Sequence, residues 1–239
     1  DRQAAKDTLK KFYKGKLLLP RAFKRENCID KLQGVYVPFW LFDCNADGTV
    51  HFNATRVSTW RSGDYRYTKT SHFLVIRGGH MAFEKIPVDA SEKMDDSYMD
   101  SLEPFDYRDL TEFGTAYLSG FLADRFDVSA KASAPRASRR VKQSLEDSLR
   151  STVHGYASVT TRSTDIHTSD SQVKYAMLPV YILNTKYKGK PYFFAMNGQT
   201  GKFVGKLPIS WGRFFAWAGG IAAAAVALGQ LFLLAGGMF

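Results

Sequence analysis

Apolar and polar residues alternate along two stretches of the chain in the manner of β-strands. Residues 34–42 are apolar at both alternating sets of positions, which predicts a strand covered on both faces. The polar residues 45–48 then predict a turn. Further strands are predicted over residues 57–61, 65–77, 80–86, 192–196 and 202–205, with turns at 62–64, 78–79 and 197–201 between them.

Helical periodicity predicts four other segments. Residues 2–13 read as a basic amphipathic helix with Ala5, Leu9 and Phe12 facing inward. Between the two β-rich parts, helices are expected over 89–102, 107–121 and 137–153, with a linker at 130–137 that contains Pro135. The helix at 107–121 is predicted from an apolar stripe of Leu110, Phe113, Tyr117 and Phe121. The helix at 137–153 is predicted from a stripe of Val141, Leu145, Leu149 and Val153.

The two β-rich parts resemble each other at fixed spacing. Ten residues after a proline comes a glycine, and fourteen after it comes a phenylalanine, in both parts. This agreement predicts a duplicated strand–turn–strand unit, with chance convergence of two hairpins as the alternative. The framework positions are Pro38, Trp40, Gly48 and Phe52 in the first copy and Pro179, Tyr181, Gly189 and Phe193 in the second. Because proline cannot donate to a ladder, both prolines are expected at an edge, a bulge or a strand start.

The end of the chain has a different character. The 26 residues from Phe214 to Phe239 contain no charge, and about 20 apolar helical residues cross a bilayer core of about 30 Å. We expect a transmembrane helix here, and the alternative is a buried helix of a soluble domain. Nothing resembling a signal peptide opens the chain, and a first residue other than Met is expected of a fragment.

Several residues of this tail have specific expected roles. Trp211 and Trp217 fit an aromatic belt at the membrane interface, and Gln230 is a polar group that would seek a partner in lipid. Small side chains recur on one helical face and would permit close approach of a second helix, although alanine-rich spans also show such spacing by chance. The expected span residues are Phe214, Trp217, Ala218, Ala222, Ala225, Gly229, Gln230 and Phe232.

Charge sets the expected orientation. Basic residues precede the span and none follows it, so the positive-inside rule places residues 1–213 in the cytoplasm. Residues 1–31 carry ten Lys/Arg and four acids, and such a surface gains roughly 1 kcal/mol per suitably placed cation beside an anionic leaflet. The expected membrane-facing cations are Lys10, Lys11, Lys14, Lys16, Lys202, Lys206 and Arg213. A solvated basic face is the alternative.

The remaining charge is also segregated. Residues 84–112 hold ten acids and three bases, whereas residues 131–150 hold six bases and two acids. The acidic segment is expected to pair either with a basic partner or with the protein's own basic helix.

The search for chemistry in the sequence is largely negative. Residues 198–202 (GQTGK) differ from a phosphate-binding loop in glycine spacing and in the Phe203 that follows Lys202, so they predict a hairpin turn. Cys28 and Cys44 are sixteen residues apart without a paired partner, and the five histidines show no helical pairing, so no metal site is expected in this chain. Neither the G-x-S-x-G motif of serine hydrolases nor the H-E-x-x-H motif of zinc proteases occurs in the sequence.

Aromatic and basic residues alternate in Trp60-Arg61, Tyr65-Arg66-Tyr67 and Lys186-Tyr187-Lys188. Such interleaving can stack nucleobases and neutralise phosphates. It is equally expected of a half-exposed strand with aromatic cross-strand pairs. A nucleic-acid-binding module therefore stays open as an alternative function.

Four blocks of the sequence resemble a family of bacterial membrane proteins commonly labelled TFIIB-type zinc-ribbon proteins and sometimes labelled as the primosomal replication-restart helicase. The blocks are GVYVPFWLFDC at 34–44, AYLSGF at 116–121, LPVYILNTKYKGK at 178–190 and NGQTGK at 197–202. The resemblance covers roughly residues 10–215. It implies an N-terminal zinc ribbon of paired C-x-x-C motifs, which this sequence lacks, so it places zinc only in an upstream ribbon and no cofactor in this chain.

The resemblance also implies partners, namely phage-shock-type membrane-stress proteins and stomatin-like (SPFH) proteins. Together with the residue patterns, it predicts a non-enzymatic, single-pass adaptor of the bacterial plasma membrane, with its bulk in the cytoplasm. A lipid- or ligand-binding domain between the repeats is a weaker alternative. The expected fold is α+β, with five parts: a basic helix and linker (1–33), a β-rich repeat (34–88), a helical insert (89–155), a second β-rich repeat (156–209) and a transmembrane tail (210–239).

Overall fold

Three long antiparallel strands form the framework of the protein. The computed structural model describes residues 2–24, 29, 31–118 and 120–236, with all of their side chains except those of residues 24, 115, 117, 170 and 231–236. Within these residues the sheet has the order β2-β1-β4-β5-β6, and a short β3 pairs in parallel with the start of β1. The strands are β1 (Gln33–Ser62), β2 (Tyr65–Asp89), β3 (Leu122–Ala123), β4 (Ser158–Tyr187), β5 (Lys190–Asn197) and β6 (Phe203–Gly205).

Helices pack on this sheet and extend from it. Those described are α1 (Arg2–Tyr13), α2 (Asp96–Ser101), α3 (Ala130–Ser151) and α4 (Trp211–Gly236). Short 3₁₀ turns lie at Arg21–Lys24, Tyr107–Asp109 and Thr115–Leu118. The α+β class and the antiparallel sheet expected from the sequence are confirmed.

The sheet is covered on both faces in the part formed by the start of β1, the end of β4, and β5. Successive side chains of a strand point to opposite faces, and Val180 and Ile182 of β4 pack in a cluster with Met99 and Leu102 from the α2 region. The intervening Tyr181 and Leu183 pack in a second cluster, which holds the buried stripe of α1: Ala5, Leu9 and Tyr13. Helix α1 spans the predicted residues, although Tyr13 is fully buried and Phe12 is only partly buried at the cluster margin.

Helix α3 covers the other half of the sheet. Its buried residues Val141, Leu145 and Leu149 pack against Val50 and Phe52 of β1. Each such side chain contributes about 1.5–3 kcal/mol when it is fully buried. On the opposite face of β1 the alternating residues are polar, as expected of an antiparallel sheet that faces solvent on one side.

Strand β1 is longer than the sequence pattern suggested. The predicted turn at 45–48 is wrong, because these residues pair with β2 on one side and β4 on the other. The predicted turn at Gly78-Gly79 is also wrong, because both glycines lie inside β2 opposite Thr49 and Gly48. Bulges opposite residues 42–45 curl the strands, so that a 30-residue strand fits the domain.

The two proposed repeats have different backbone structures. Residues 179–195 form the predicted hairpin, with a turn at Gly189 (φ 79°). Residues 38–54 are instead one continuous strand, in which Gly48 packs closely against the backbone of β4. The two glycines that stand ten residues after a proline therefore have different roles. Gly189 forms a turn, whereas Gly48 lets β1 approach the backbone of β4 closely.

The helical insert is less helical than predicted. The helix expected over 89–102 is confined to α2, and the helix expected over 107–121 is wrong. Near the start of this segment, the Asp106 side chain accepts a hydrogen bond from the Arg108 backbone and closes a 3₁₀ turn instead. As a result Leu110 and Phe113 are exposed.

The linker expected over 130–137 is also wrong. Helix α3 begins at Ala130, because the Ser129 side chain accepts a hydrogen bond from the Ala132 backbone and caps the helix. Pro135 lies inside this helix. The predicted turns at 62–64 and 197–201 are confirmed as the connections β1–β2 and β5–β6.

The close approach at Gly48 generates a testable prediction. A Cβ at this position would clash with the Asp165 carbonyl and lie 2.6 Å from the Ile166 Cα, both of which are backbone. We therefore expect Gly48→Ala to lower the free energy of unfolding by about 1–3 kcal/mol, measured by urea unfolding of the full chain in detergent with circular dichroism. Gly78→Ala is the control, since its Cβ would meet Thr49 Oγ1 at 3.4 Å. Equal stability of the two variants would contradict the prediction.

Candidate membrane-anchoring site

Helix α4 is long and apolar, and its described side chains are almost all exposed. Among the described residues, one helix has the length and composition to cross a membrane, with its candidate span at Trp211–Gln230 and none of that span buried. The whole helix of 26 residues is about 39 Å long. The described side chains of this span pack into no core of the body, which does not support the alternative of a buried core helix.

The first turn of α4 is bonded to the segment that follows α1. The Ser210 N–H donates to the Leu18 carbonyl at 2.8 Å. The Arg213 guanidinium donates to the carbonyls of Leu17 and Leu19, at 3.3 and 2.7 Å. Arg213 was expected to face the membrane, and the structure places it in the joint between helix and body.

The lysines of the N-terminal region lie in the last turn of α1 and in the segment between α1 and this joint. Lys10, Lys11, Lys14 and Lys16 are all exposed, because the opposite stripe of α1 packs on the sheet. The Lys16 ammonium lies 5.3 Å from the centroid of the Phe12 ring. Residues 14–16 lead directly into residues 17–19, whose carbonyls bond Arg213 and Ser210.

The two remaining predicted cations differ in their placement. Lys202 donates from Nζ to the Glu103 carbonyl at 2.6 Å, so its ammonium is bound to the body. Lys206 is exposed in the segment before α4. The four exposed N-terminal lysines therefore precede the segment that bonds α4, whereas the Lys202 ammonium is bound to a backbone carbonyl of the body.

Exposed apolar side chains surround the entry of α4. Trp211 and Trp217 were expected here, and the Trp211 ring contacts Phe214 at a centroid distance of 5.6 Å. Leu17 and Ile209 are also more than half exposed, and the sequence reasoning missed both. The signal for Leu17 was available, because it opens a run of three leucines directly after the lysines.

Within the span, Ala218, Ala222, Ala225, Gly229 and Gln230 are exposed, and helix association through them stays a prediction. The Phe232 side chain and Cys28 lie outside what the structure describes.

The repeat framework residues are structural and do not form one site. Trp40 donates from Nε1 to the Val128 carbonyl at 2.9 Å, Phe52 lies beneath α3, and Phe193 packs edge-on against Tyr98. Pro38 and Pro179 lie inside long strands, each where a ladder ends. The Pro38 carbonyl accepts from the Ala90 N–H, and the Pro179 carbonyl accepts from the Gly198 N–H. Each proline thus directs its backbone toward the ladder that ends beside it, where the missing N–H breaks no strand pairing.

The acidic segment pairs with the protein's own basic helix. Arg136 of α3 forms ion pairs with Asp89 at 2.6 Å and Asp96 at 2.8 Å, and it also contacts Asp100. Arg140 pairs with Glu103 at 2.7 Å. Of the two alternatives for this segment, the structure supports the intramolecular one.

Asp89 is the most buried member of this cluster. Burial raises the pKa of Asp89 to about 6, and the ion pair with Arg136 opposes the shift. One carboxylate oxygen of Asp89, Oδ2, has no described hydrogen-bond partner. The cluster therefore holds a carboxyl group that protonates in mildly acidic conditions.

The aromatic and basic residues of the β1–β2 hairpin largely contact one another. The Trp60 and Tyr67 rings stack at 5.6 Å. The Arg56 guanidinium lies 5.4 Å from the centroids of both Phe73 and Tyr156. Two aromatic residues of the interleaved pattern, Trp60 and Tyr67, thus contact each other, while Tyr65 between them in sequence is exposed.

A groove of about 520 Å³ lies beside β4, under the irregular segment that follows α2. Leu41 and Leu178 form part of its lining, and Lys85 and Lys174 lie at its rim. Lys174 pairs with Asp43 at 3.2 Å. The groove is the place in this structure where the lipid- or ligand-binding alternative could apply.

No cluster of metal ligands is found in the part of the chain that the structure describes; groups of three His, Cys, Asp or Glu side chains are not brought together there. Cys44 is a free, buried thiol, and burial raises its pKa.

Comparison with known proteins places the chain in a family. It is 42% identical over 239 residues to the uncharacterized protein YdjG of Bacillus subtilis (strain 168), an alignment that covers all of this chain and 70% of that protein. The chain therefore belongs to the same family as YdjG. No family model and no solved structure matches it.

The pKa of Asp89 leads to a prediction about stability. The folded pKa of Asp89, about 6, exceeds the ordinary value of 3.8. The folded state therefore binds the proton more tightly than the unfolded state, and the stability gained from this protonation is lost as pH rises from about 4 to 6. Asp89→Asn removes the titration. We expect the stability of the wild type relative to the variant to fall across this window by at most about 3 kcal/mol, measured by urea unfolding at several pH values.

Asp64→Asn, in the exposed β1–β2 turn, is the control, and its stability should follow that of the wild type at every pH. A constant difference between Asp89→Asn and the wild type from pH 4 to 7 would contradict the assignment.

Proposed function

We propose that the chain is a membrane-anchored adaptor, in which α4 crosses the bilayer once and the α+β body lies on the cytoplasmic side. The observation that carries this proposal is an apolar helix whose candidate span has no buried residue and whose first turn is bonded to a basic part of the body. A helix that exposes this much apolar surface is expected to bury it in lipid or in other spans.

The charge distribution supports the orientation. Lys206 and the α1 lysines lie on the body side of the span, and no basic residue follows Arg213 in the chain. By the positive-inside rule the body is cytoplasmic. Anionic headgroups at that surface would then meet the exposed lysines of α1.

The partner class rests on resemblance. We propose that the body docks SPFH-type and phage-shock-type membrane-stress proteins, and that other spans contact α4. The role is non-catalytic in this proposal, and zinc would belong to an upstream ribbon.

The alternative of a membrane-tethered nucleic-acid-binding module is less well supported. The ring faces of Trp60 and Tyr67 are stacked on each other, and Arg56 lies on the rings of its own chain. These contacts reduce the surface that nucleobases would use.

The first test removes the span. Deleting residues 214–239 should move the protein from the membrane fraction to the soluble fraction, because the apolar surface that holds it in lipid is gone. The measurement is flotation of cell membranes followed by carbonate extraction. A chain in which an unrelated apolar helix of 26 residues replaces the tail is the control, and it should remain with membranes. A truncated protein that still resists carbonate extraction would rule out α4 as the anchor.

The second test addresses the lysines. In residues 1–213, replacing Lys10, Lys11, Lys14 and Lys16 with Gln should weaken binding to vesicles that contain phosphatidylglycerol. At roughly 1 kcal/mol per cation, the loss should approach three orders of magnitude at low salt. Binding is measured by co-sedimentation across salt concentrations.

The matched control replaces four exposed cations elsewhere, Arg61, Arg66, Lys69 and Arg139, with Gln. It carries the same change in net charge and should retain most of the binding. If both variants lose binding equally, the attraction is a general effect of net charge and α1 has no special role.

A further inference from the structure

The outer edge of β4 is open over most of its length. Strand β5 pairs with β4 only from Val180 to Tyr187. Before Val180, β4 pairs with β1 on one side, and none of the described strands lies on the other. The Val159 carbonyl accepts a hydrogen bond from Arg150, which covers the edge at its beginning. Near its other end the Pro179 carbonyl accepts from the Gly198 N–H. Between these two points, none of the described strands pairs with the outer side of residues 160–168.

One part of this edge is regular and flanked by irregularities. A bulge in β4 falls at residue 162, between the partners of His51 and Phe52, and a second falls between Ser169 and Gln172. Between them, residues 163–169 form an uninterrupted run paired with β1. The middle residue of this run is Ile166, so the two bulges lie symmetrically about it.

The direction of the backbone groups in this run can be assigned. The Asp165 carbonyl points at β1, since it would be the nearest atom to a Cβ built on Gly48. In an antiparallel ladder the N–H and C=O of one residue point to the same side, and neighbouring residues alternate. The backbone groups of Thr164, Ile166 and Thr168 therefore point outward from the sheet.

The run is complementary to itself in the antiparallel direction. With Ile166 opposite Ile166 of a second copy, Asp165 faces His167, Thr164 faces Thr168, and Ser163 faces Ser169. Within one copy, the Asp165 carboxylate lies 3.4 Å from the His167 ring nitrogen, and the Thr164 and Thr168 hydroxyls each lie 3.4 Å from a side chain of α3. A carboxylate opposite an imidazole, and hydroxyls opposite each other, are favourable cross-strand neighbours. A sequence that matches itself about a central residue is what an isologous two-fold interface requires.

The helices leave room for such an arrangement. The cluster under α3 takes most of its strand residues from β1. Across a β1-β4-β4-β1 arrangement the two β1 strands are three spacings, or about 14 Å, apart. Two helices pack at about 8–10 Å, so one α3 on each copy does not obstruct the other.

We propose that two copies of this chain associate through their β4 edges, with the two-fold axis at Ile166. The outward N–H and C=O groups of Thr164, Ile166 and Thr168 form six hydrogen bonds, and the two sheets become one continuous sheet. The occupant of this edge is a second copy, because the register that satisfies the backbone also pairs Asp165 with His167. This association does not depend on membrane insertion.

The first experiment fixes the register by cross-linking. The full chain, with Cys28→Ser and Cys44→Ala, is co-expressed in two tagged forms, one carrying Ser163→Cys and the other Ser169→Cys. These positions face each other as a pair without hydrogen bonds, about 4.5 Å apart at Cα, which is within disulfide reach. We expect a cross-link between the two tags in oxidised membranes.

The off-register control combines Asp165→Cys with Ser169→Cys, which lie two positions out of register and should stay unlinked. If the in-register pair links no more than this control, the proposal is wrong.

A second experiment measures mass by light scattering of the full chain in detergent. We expect a dimer for the wild type and for Thr168→Val, and a monomer for Thr168→Pro, which lacks one outward N–H. Unfolding temperature confirms that each variant is folded. A wild-type monomer would overturn the proposal. So would an oligomer that Thr168→Pro leaves intact, because assembly would then use the β2 edge or α4.

Discussion

Pairing of β1 on both sides is the constraint on which the rest of this structure depends. From Phe39 to Thr55 nearly every residue of β1 has a partner in β2 and another in β4. A strand in that position must form hydrogen bonds to a neighbour on each side, and its side chains must suit the environment of both faces of the sheet. Gly48 is small where β4 comes closest, and the bulges in β2 and β4 curl the sheet so that α3 can cover one face. The helical insert and the segment after α1 then fit around a framework that β1 has set.

The neutralisation of charge inside the body follows from the same framework. The end of β2 places Asp89 beneath the N-terminal half of α3, and Arg136 meets three carboxylates there. Removing charges from water is costly, and this cost is offset only when the partners are close and hydrogen-bonded. Segregated acidic and basic segments in a sequence can thus indicate an internal contact as readily as a partner.

The sequence identified elements where one physical signal dominates. Helix α1 and the apolar tail were predicted with nearly correct bounds, since an amphipathic stripe and a long uncharged run have few alternatives. The turn at 62–64 was correct for the same reason, because Gly63 lies between two alternating segments. Where two signals compete, the prediction failed. Asn45, Asp47 and Gly48 have turn composition, yet pairing on both sides keeps them extended. Pro135 suggested a linker, yet the cap at Ser129 and the stripe beneath α3 extend the helix across it.

The candidate site was predictable in its parts and not in its assembly. The lysines of α1 and the apolar tail are visible in the sequence, but nearly 200 residues separate them. The link between the N-terminal segment and the tail depends on Arg213 donating to the carbonyls of residues 17 and 19, which no local pattern encodes. The exposed Leu17 could have been noticed in its leucine run, whereas the binding of Lys202 to a backbone carbonyl could not.

The joint at Arg213 has a mechanical consequence. A span connected through a flexible linker can tilt or rotate in the bilayer while the attached domain stays still. Here the first turn of α4 is hydrogen-bonded to residues 17–19, which continue directly into α1. In the proposed membrane-spanning arrangement, a change in bilayer thickness or lateral tension that tilts α4 would be transmitted to α1 and, through Leu9 and Tyr13, to the sheet.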